Sequence, residues 1–132
     1  MRILLFCSAL LSSLFFSACA PHPGASVDAT QAREAVVEIT QALRTAQDHH
    51  QAGEPRQAKR SWSTAHHTFN TKLVNGVEYH ASSSRALQLS YMLGSLRNEM
   101  EQPKGDTDQA LASLTNELEE VVRQIPEVPS SR

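Results

Sequence analysis

The stretch DTDQALASLTNELEEVVRQI, residues 106–125, decides the fold. Leu111, Leu114, Leu118, Val121 and Ile125 recur at steps of three and four, which is the period of one face of an α-helix rather than the alternation of a strand. Asp106 and Gln109 have the spacing of a capping box, in which the first side chain satisfies a backbone N–H at the helix start. An amphipathic helix follows, and its apolar stripe must be buried against other elements of the chain.

The preceding residues repeat the pattern. Pro103 and Gly105 end an earlier stripe built from Ala86, Leu89, Met92 or Leu93, Leu96 and Met100, with a start expected near Ser82 to Ser84. Before that, Ala58, Trp62, Ala65, Phe69 and Leu73 form another, opened by Pro55 and expected to stop at Asn75-Gly76. The first, from about Asp28 to Gln51, carries Val36, Ile39, Leu43 and Ala46, with a capping-box pair at Asp28 and Gln31 and a break at Gly53. Four amphipathic helices joined mostly by short connections predict an all-α, antiparallel up-down four-helix bundle over residues 28–125. Gly53-Glu54 with Ala58, Trp62 and Ala65 is similar to the opening of a tetratricopeptide repeat, but Leu87-Gln88 stands where a second copy would begin, about 34 residues on.

The two ends read differently from the bundle. Residues from Ala20 to Ser26 hold Pro21, Pro23 and Gly24 and have no apolar period, so they read as a flexible tether; the tail, 126–132, reads the same way. At the N-terminus Arg2 supplies one positive charge, and Ile3 to Phe16 follow without a charged residue, as in a secretory signal. Phe16-Ser17-Ala18-Cys19 then resembles the lipobox of bacterial lipoproteins, with Phe16 where that family usually places Leu or another aliphatic residue. The resemblance implies a signal peptide over 1–18, acylation of Cys19 as the new N-terminus, and a lipidated tether over 19–27. Ala20 stands where an aspartate would favour inner-membrane retention in enteric lipoproteins, so the resemblance implies the outer membrane and the periplasmic side.

Two other readings of this segment stay open. Ordinary secretory cleavage could use Ala18-Cys19-Ala20 as a small-x-small site, although the cut would fall before Pro21. An uncleaved anchor would need roughly 20 apolar residues to cross hydrocarbon, and this run is shorter and interrupted by serines. All three readings export the domain.

The lipobox reading also decides the thiol chemistry. Cys7 leaves with the signal and Cys19 is taken up by the lipid, so the mature chain has neither a disulfide nor a thiolate metal site. Net charge is −2 for the whole chain and −3 once Arg2 is removed. With both signs interspersed along the sequence, the reading is of no nucleic-acid-binding face and no polybasic membrane patch.

Six histidines, His22, His49, His50, His66, His67 and His80, raise the question of a metal. His66 falls about 11 residues into the second helix, roughly 16 Å along the bundle from His50 at 1.5 Å per residue, whereas a metal accepts ligands only about 2 Å away. His49 and His50 suit the end of helix one, where imidazoles interact with unpaired carbonyls and the negative end of the dipole. His66 reads as a boundary residue beside Trp62 and Phe69, and His67 as outward-facing. The remaining metal-ligand candidates are His66, Glu78 and His80.

Catalytic patterns are missing. The chain has no glycine-rich phosphate loop, no His-Glu-x-x-His and no serine elbow, and Glu34, Glu38, Glu117, Glu119 and Glu120 fall at helix positions expected to face solvent. No histidine follows a glutamate at the spacing of a di-iron bundle, and Met92 and Met100 read as core fillers rather than haem ligands. From His50 to Arg97, the series Gly53-Glu54, Ala58, Trp62, Ala65, Phe69, Tyr91, Gly94, Leu96 and Arg97 resembles the extracytoplasmic helical region of bacterial high-affinity iron permeases, with Asn70 in place of the usual acidic residue. That resemblance implies a module linked to cation uptake. The sequence thus predicts a non-catalytic envelope lipoprotein without a cofactor, its partners being the membrane and an envelope protein. The alternative expectation is a periplasmic accessory protein binding iron, copper or zinc.

Overall fold

The computed structural model describes Ala20, residues 22–103 and residues 105–127. The expected signal peptide, Cys19 with its lipid, and the tail beyond residue 127 lie outside the described residues. A 3-10 turn, Pro23–Ser26, leads into α1 (Ala29–Gln51), α2 (Pro55–Thr68), a π-helical turn (Phe69–Leu73), α3 (Val74–His80), α4 (Ser83–Glu101) and α5 (Thr107–Val122). The backbone stays helical through Thr68, Phe69, Leu73 and Val74, so α2, the π turn and α3 form one rod. The result is the antiparallel up-down four-helix bundle that the apolar periods predict.

Local chemistry sets the helix starts and stops. Asp28 Oδ1 accepts from Gln31 N at 2.9 Å, Ser82 Oγ from Arg85 N at 3.1 Å, and Asp106 Oδ1 from Gln109 N at 3.1 Å, each satisfying an orphan donor of a first turn. Gly53 ends α1 with φ +75°, the left-handed conformation that glycine adopts without steric cost. Glu54 N then donates back to His49 O at 2.8 Å, which closes the helix end.

Two boundaries differ from the sequence reading. Asn75-Gly76 does not stop the second helix, which continues to His80. Gly76 is buried, and a Cβ there would lie 2.8 Å from Val27 Cγ1, so the glycine permits close approach of the N-terminal segment instead of capping a helix. Nor are residues 22–27 a free tether. They carry the 3-10 turn and dock on α3, with Gly24 so close to Asn75 that a Cβ would meet its carbonyl oxygen at 1.8 Å. His22 adds a ring contact to Tyr79 at 5.3 Å. The start of the expected tail is also engaged: Pro126 O accepts from Ala29 N at 3.1 Å, and Glu127 pairs with Arg33 at 2.9 Å.

The core draws one stripe from each rod. Ile39 and Leu43 of α1, Phe69 and Leu73 of the π turn, Val77 of α3, Leu89, Leu93 and Leu96 of α4, and Leu114, Leu118 and Val121 of α5 are the largest fully buried side chains. Each contributes about 1.5–3 kcal/mol relative to exposure, and together they fix the rods side by side. Leu93 rather than Met92 takes the ambiguous α4 position. Glu117 is only half exposed and pairs with Arg85 across α4 and α5, so this carboxylate does not stand on a solvated face as expected. Among the described residues, no helix is long and apolar enough to cross a membrane.

A groove between α2 and α4

The histidines are spread through the fold rather than gathered. His49 sits in the last turn of α1 and reaches Glu54 with Nδ1 at 2.6 Å from Oε2. His66 stacks on Trp62 with centroids 5.0 Å apart and lies within hydrogen-bond reach of the Asn70 amide. His67 is exposed. His80 packs edge-on against Tyr79 at 4.8 Å, and its Nε2 is buried without a hydrogen-bond partner among the described residues. His66 and His80 are on the same rod, roughly 20 Å apart at 1.5 Å per residue. Glu78 is exposed. The three sequence candidates, His66, Glu78 and His80, are therefore not brought together, and no three His, Cys, Asp or Glu side chains among the described residues cluster closely enough to hold a metal ion.

A different constellation lies at the end of the bundle that carries the α1–α2 turn. There a groove of about 370 Å³ lies between α2 and α4, with Ala58, Trp62 and Met100 along its floor. Trp62 is held in place by its indole N–H, which donates to Leu93 O at 3.2 Å. The Arg97 guanidinium carbon stands 5.0 Å from the centre of the indole ring, within the range of a cation–π contact. Arg97 is also oriented by Glu101 one turn on, Nε to Oε1 at 2.9 Å. Indole and guanidinium thus fix each other between two helices.

The rim is basic. Arg56 and Lys59 line the groove from the first turns of α2, and Arg60 follows; none of the three has an ion pair among the described residues. The nearby carboxylates are already engaged, Glu54 by His49 and Glu101 by Arg97. No acidic residue stands in the first turn of α2, and none occurs anywhere from residue 55 to residue 77. Cations at a helix N-terminus oppose the positive end of the macrodipole, at about 0.3–1 kcal/mol for each exposed charge, so local helix stability does not account for Arg56 and Lys59.

Other hollows offer less. One of about 600 Å³ around Arg44, Asp48 and Asp108 is polar and bridged by the hydrogen bond between Gln47 and Asp108. Another of about 530 Å³ between α4 and α5 opens widely to solvent beside Tyr91, which is 75% exposed. The α2–α4 groove joins an apolar floor to two cations, Arg56 and Lys59, that have no ion pair among the described residues. Sequence reasoning missed it, because it treated Trp62 as one member of a core stripe and the charges as interspersed. The run from 55 to 77, cationic and free of carboxylates, was the available signal.

No protein family, curated protein or solved structure matches this chain.

Proposed function

We propose that this chain is a non-catalytic lipoprotein of the cell envelope, whose helical bundle is an interaction module held on the outer side of a membrane by lipid on Cys19. The observation that carries this reading is the position of the chain's entry. Residues 22–27 dock on α3, at the end where α1 begins and α5 finishes, whereas the α2–α4 groove lies at the other end of α1. With 23 residues in α1, the two ends are separated by roughly 35 Å at 1.5 Å per residue. An anchor on Cys19 would thus stand the bundle on its entry end and present the groove away from the lipid.

The apolar segment 3–16 and the Phe16-Ser17-Ala18-Cys19 motif supply the anchoring signal, and the docked turn leaves only a short link between it and the bundle. That arrangement favours a definite orientation over free tumbling on a long tether. The experiment is metabolic labelling with a palmitate analogue in cells expressing the chain and its Cys19→Ser variant, followed by fractionation. Label and membrane association in the first, lost in the second, are expected. Equal labelling of both, or none in either, would remove the anchor from this reading.

A further inference from the structure

Resting on the interaction-module reading, we infer that the α2–α4 groove docks an acidic segment of a partner protein, a short peptide with one bulky apolar side chain flanked by carboxylates. The floor calls for the apolar residue: Ala58, Trp62 and Met100 form a concave surface, and Trp and Met are among the residue types enriched where protein interfaces exclude water. The rim calls for the carboxylates. Arg56 and Lys59 line it with no ion pair among the described residues, Arg97 stands over the indole, and the carboxylates of Glu54 and Glu101 are held by His49 and Arg97. In a chain of net charge −2, this end of α2 is a local basic island, and its charge is complementary to an acidic partner.

The groove is also built for recognition at low entropic cost. Trp62 is pinned by its bond to Leu93 O and Arg97 by Glu101, so two side chains of the types that dominate interface energetics are already ordered before a partner arrives. A membrane lipid is the other anionic, apolar occupant that such chemistry could take. Distance from the chain's entry argues against it, since the groove lies the length of α1 away from residues 22–27.

The test uses the full chain in nanodiscs of phosphatidylcholine, a zwitterionic lipid that leaves the charge of the groove unmatched. Random dodecapeptides displayed on phage are selected against it, with an Arg56→Gln, Lys59→Gln double variant as the counter-screen. Selected sequences are expected to carry two or more Asp or Glu around a Leu, Phe or Met. A synthetic copy should shift the emission of Trp62, the chain's single tryptophan, in a saturable way. The double variant should weaken binding about tenfold at low salt, and its unchanged emission in the free state serves as the folding control. Selection of neutral or basic peptides, no enrichment over empty nanodiscs, or equal binding by the double variant would overturn the inference. So would an emission shift produced by phosphatidylglycerol vesicles but by no peptide. A chain that takes up palmitate at Cys19 yet selects no acidic peptide keeps its envelope reading and loses only this one.

Discussion

Gly24→Ala tests the docking of the N-terminal turn on α3, the feature by which the structure departs most from the expected tether. A Cβ at Gly24 would lie 1.8 Å from Asn75 O, 2.5 Å from Asn75 C and 2.7 Å from Tyr79 Cβ. Two of these are backbone atoms within a continuous helix, so the helix cannot yield and the turn must lift away. The cost is then bounded by what docking contributes, not by the size of the clash. Lifting would expose part of Val27, up to about 1.5 kcal/mol for a half-buried valine, and would break the His22–Tyr79 ring contact, worth about 0.5–1 kcal/mol. Freed backbone entropy offsets part of this, which leaves a net loss of about 1–2 kcal/mol. For a domain of this size, that corresponds to a fall in Tm of about 5–12 °C by circular dichroism. Hydrogen exchange should also accelerate at the amides of residues 24–27, while those of the α1 and α5 core stay protected. A loss below 0.3 kcal/mol with unchanged protection would show that the turn does not pack on Asn75. Unfolding of the whole bundle would mean that residues 22–27 belong to the core.

Gly53→Ala forces an L side chain into φ +75° and should destabilise by about 1 kcal/mol in urea unfolding, even though a Cβ there meets nothing within 4 Å. Phe69→Ala removes a ring that is 1% exposed and should cost about 3–5 kcal/mol, enough to unfold a marginally stable bundle at 37 °C. Asp28→Ala and Asp106→Ala each remove an N-cap acceptor and should cost about 1 kcal/mol. Asn in place of either aspartate should restore most of that loss, which separates the cap from a simple change in charge.

The bundle was legible because its signals are local. Stripes at steps of three and four place Ile39, Leu43, Leu89, Leu96, Leu114 and Leu118 inside, and the caps at Asp28, Ser82 and Asp106 act within three residues of themselves. Misreading began where a residue's role is set by something distant. Asn75-Gly76 has the composition of a helix stop, yet its glycine serves Val27, nearly fifty positions earlier in the chain, and the helix runs on. The same contact explains why Pro23 and Gly24, flexible by composition, form a docked turn. A period of 3.6 also cannot reveal the π turn at Phe69–Leu73, because the widened turn keeps both Phe69 and Leu73 buried.

The groove is hidden in the sequence for a further reason. Charge summed along a chain cancels, whereas a ligand meets only the charge on one face. Here Glu54 lies two residues from Arg56, and the two look compensated in the sequence. In the fold Glu54 turns to His49 at 2.6 Å, while Arg56 and Lys59 line the groove with no ion pair among the described residues. Trp62 was hidden by the opposite effect, since its place in an apolar stripe suggested full burial. The indole is only half buried, and it reaches from α2 to α4 with its N–H on Leu93 O. A half-buried tryptophan fixed by a hydrogen bond, beside cations whose neutralising carboxylates have turned elsewhere, needs three-dimensional placement to be seen. Each of its residues, taken singly, has an ordinary explanation in the sequence.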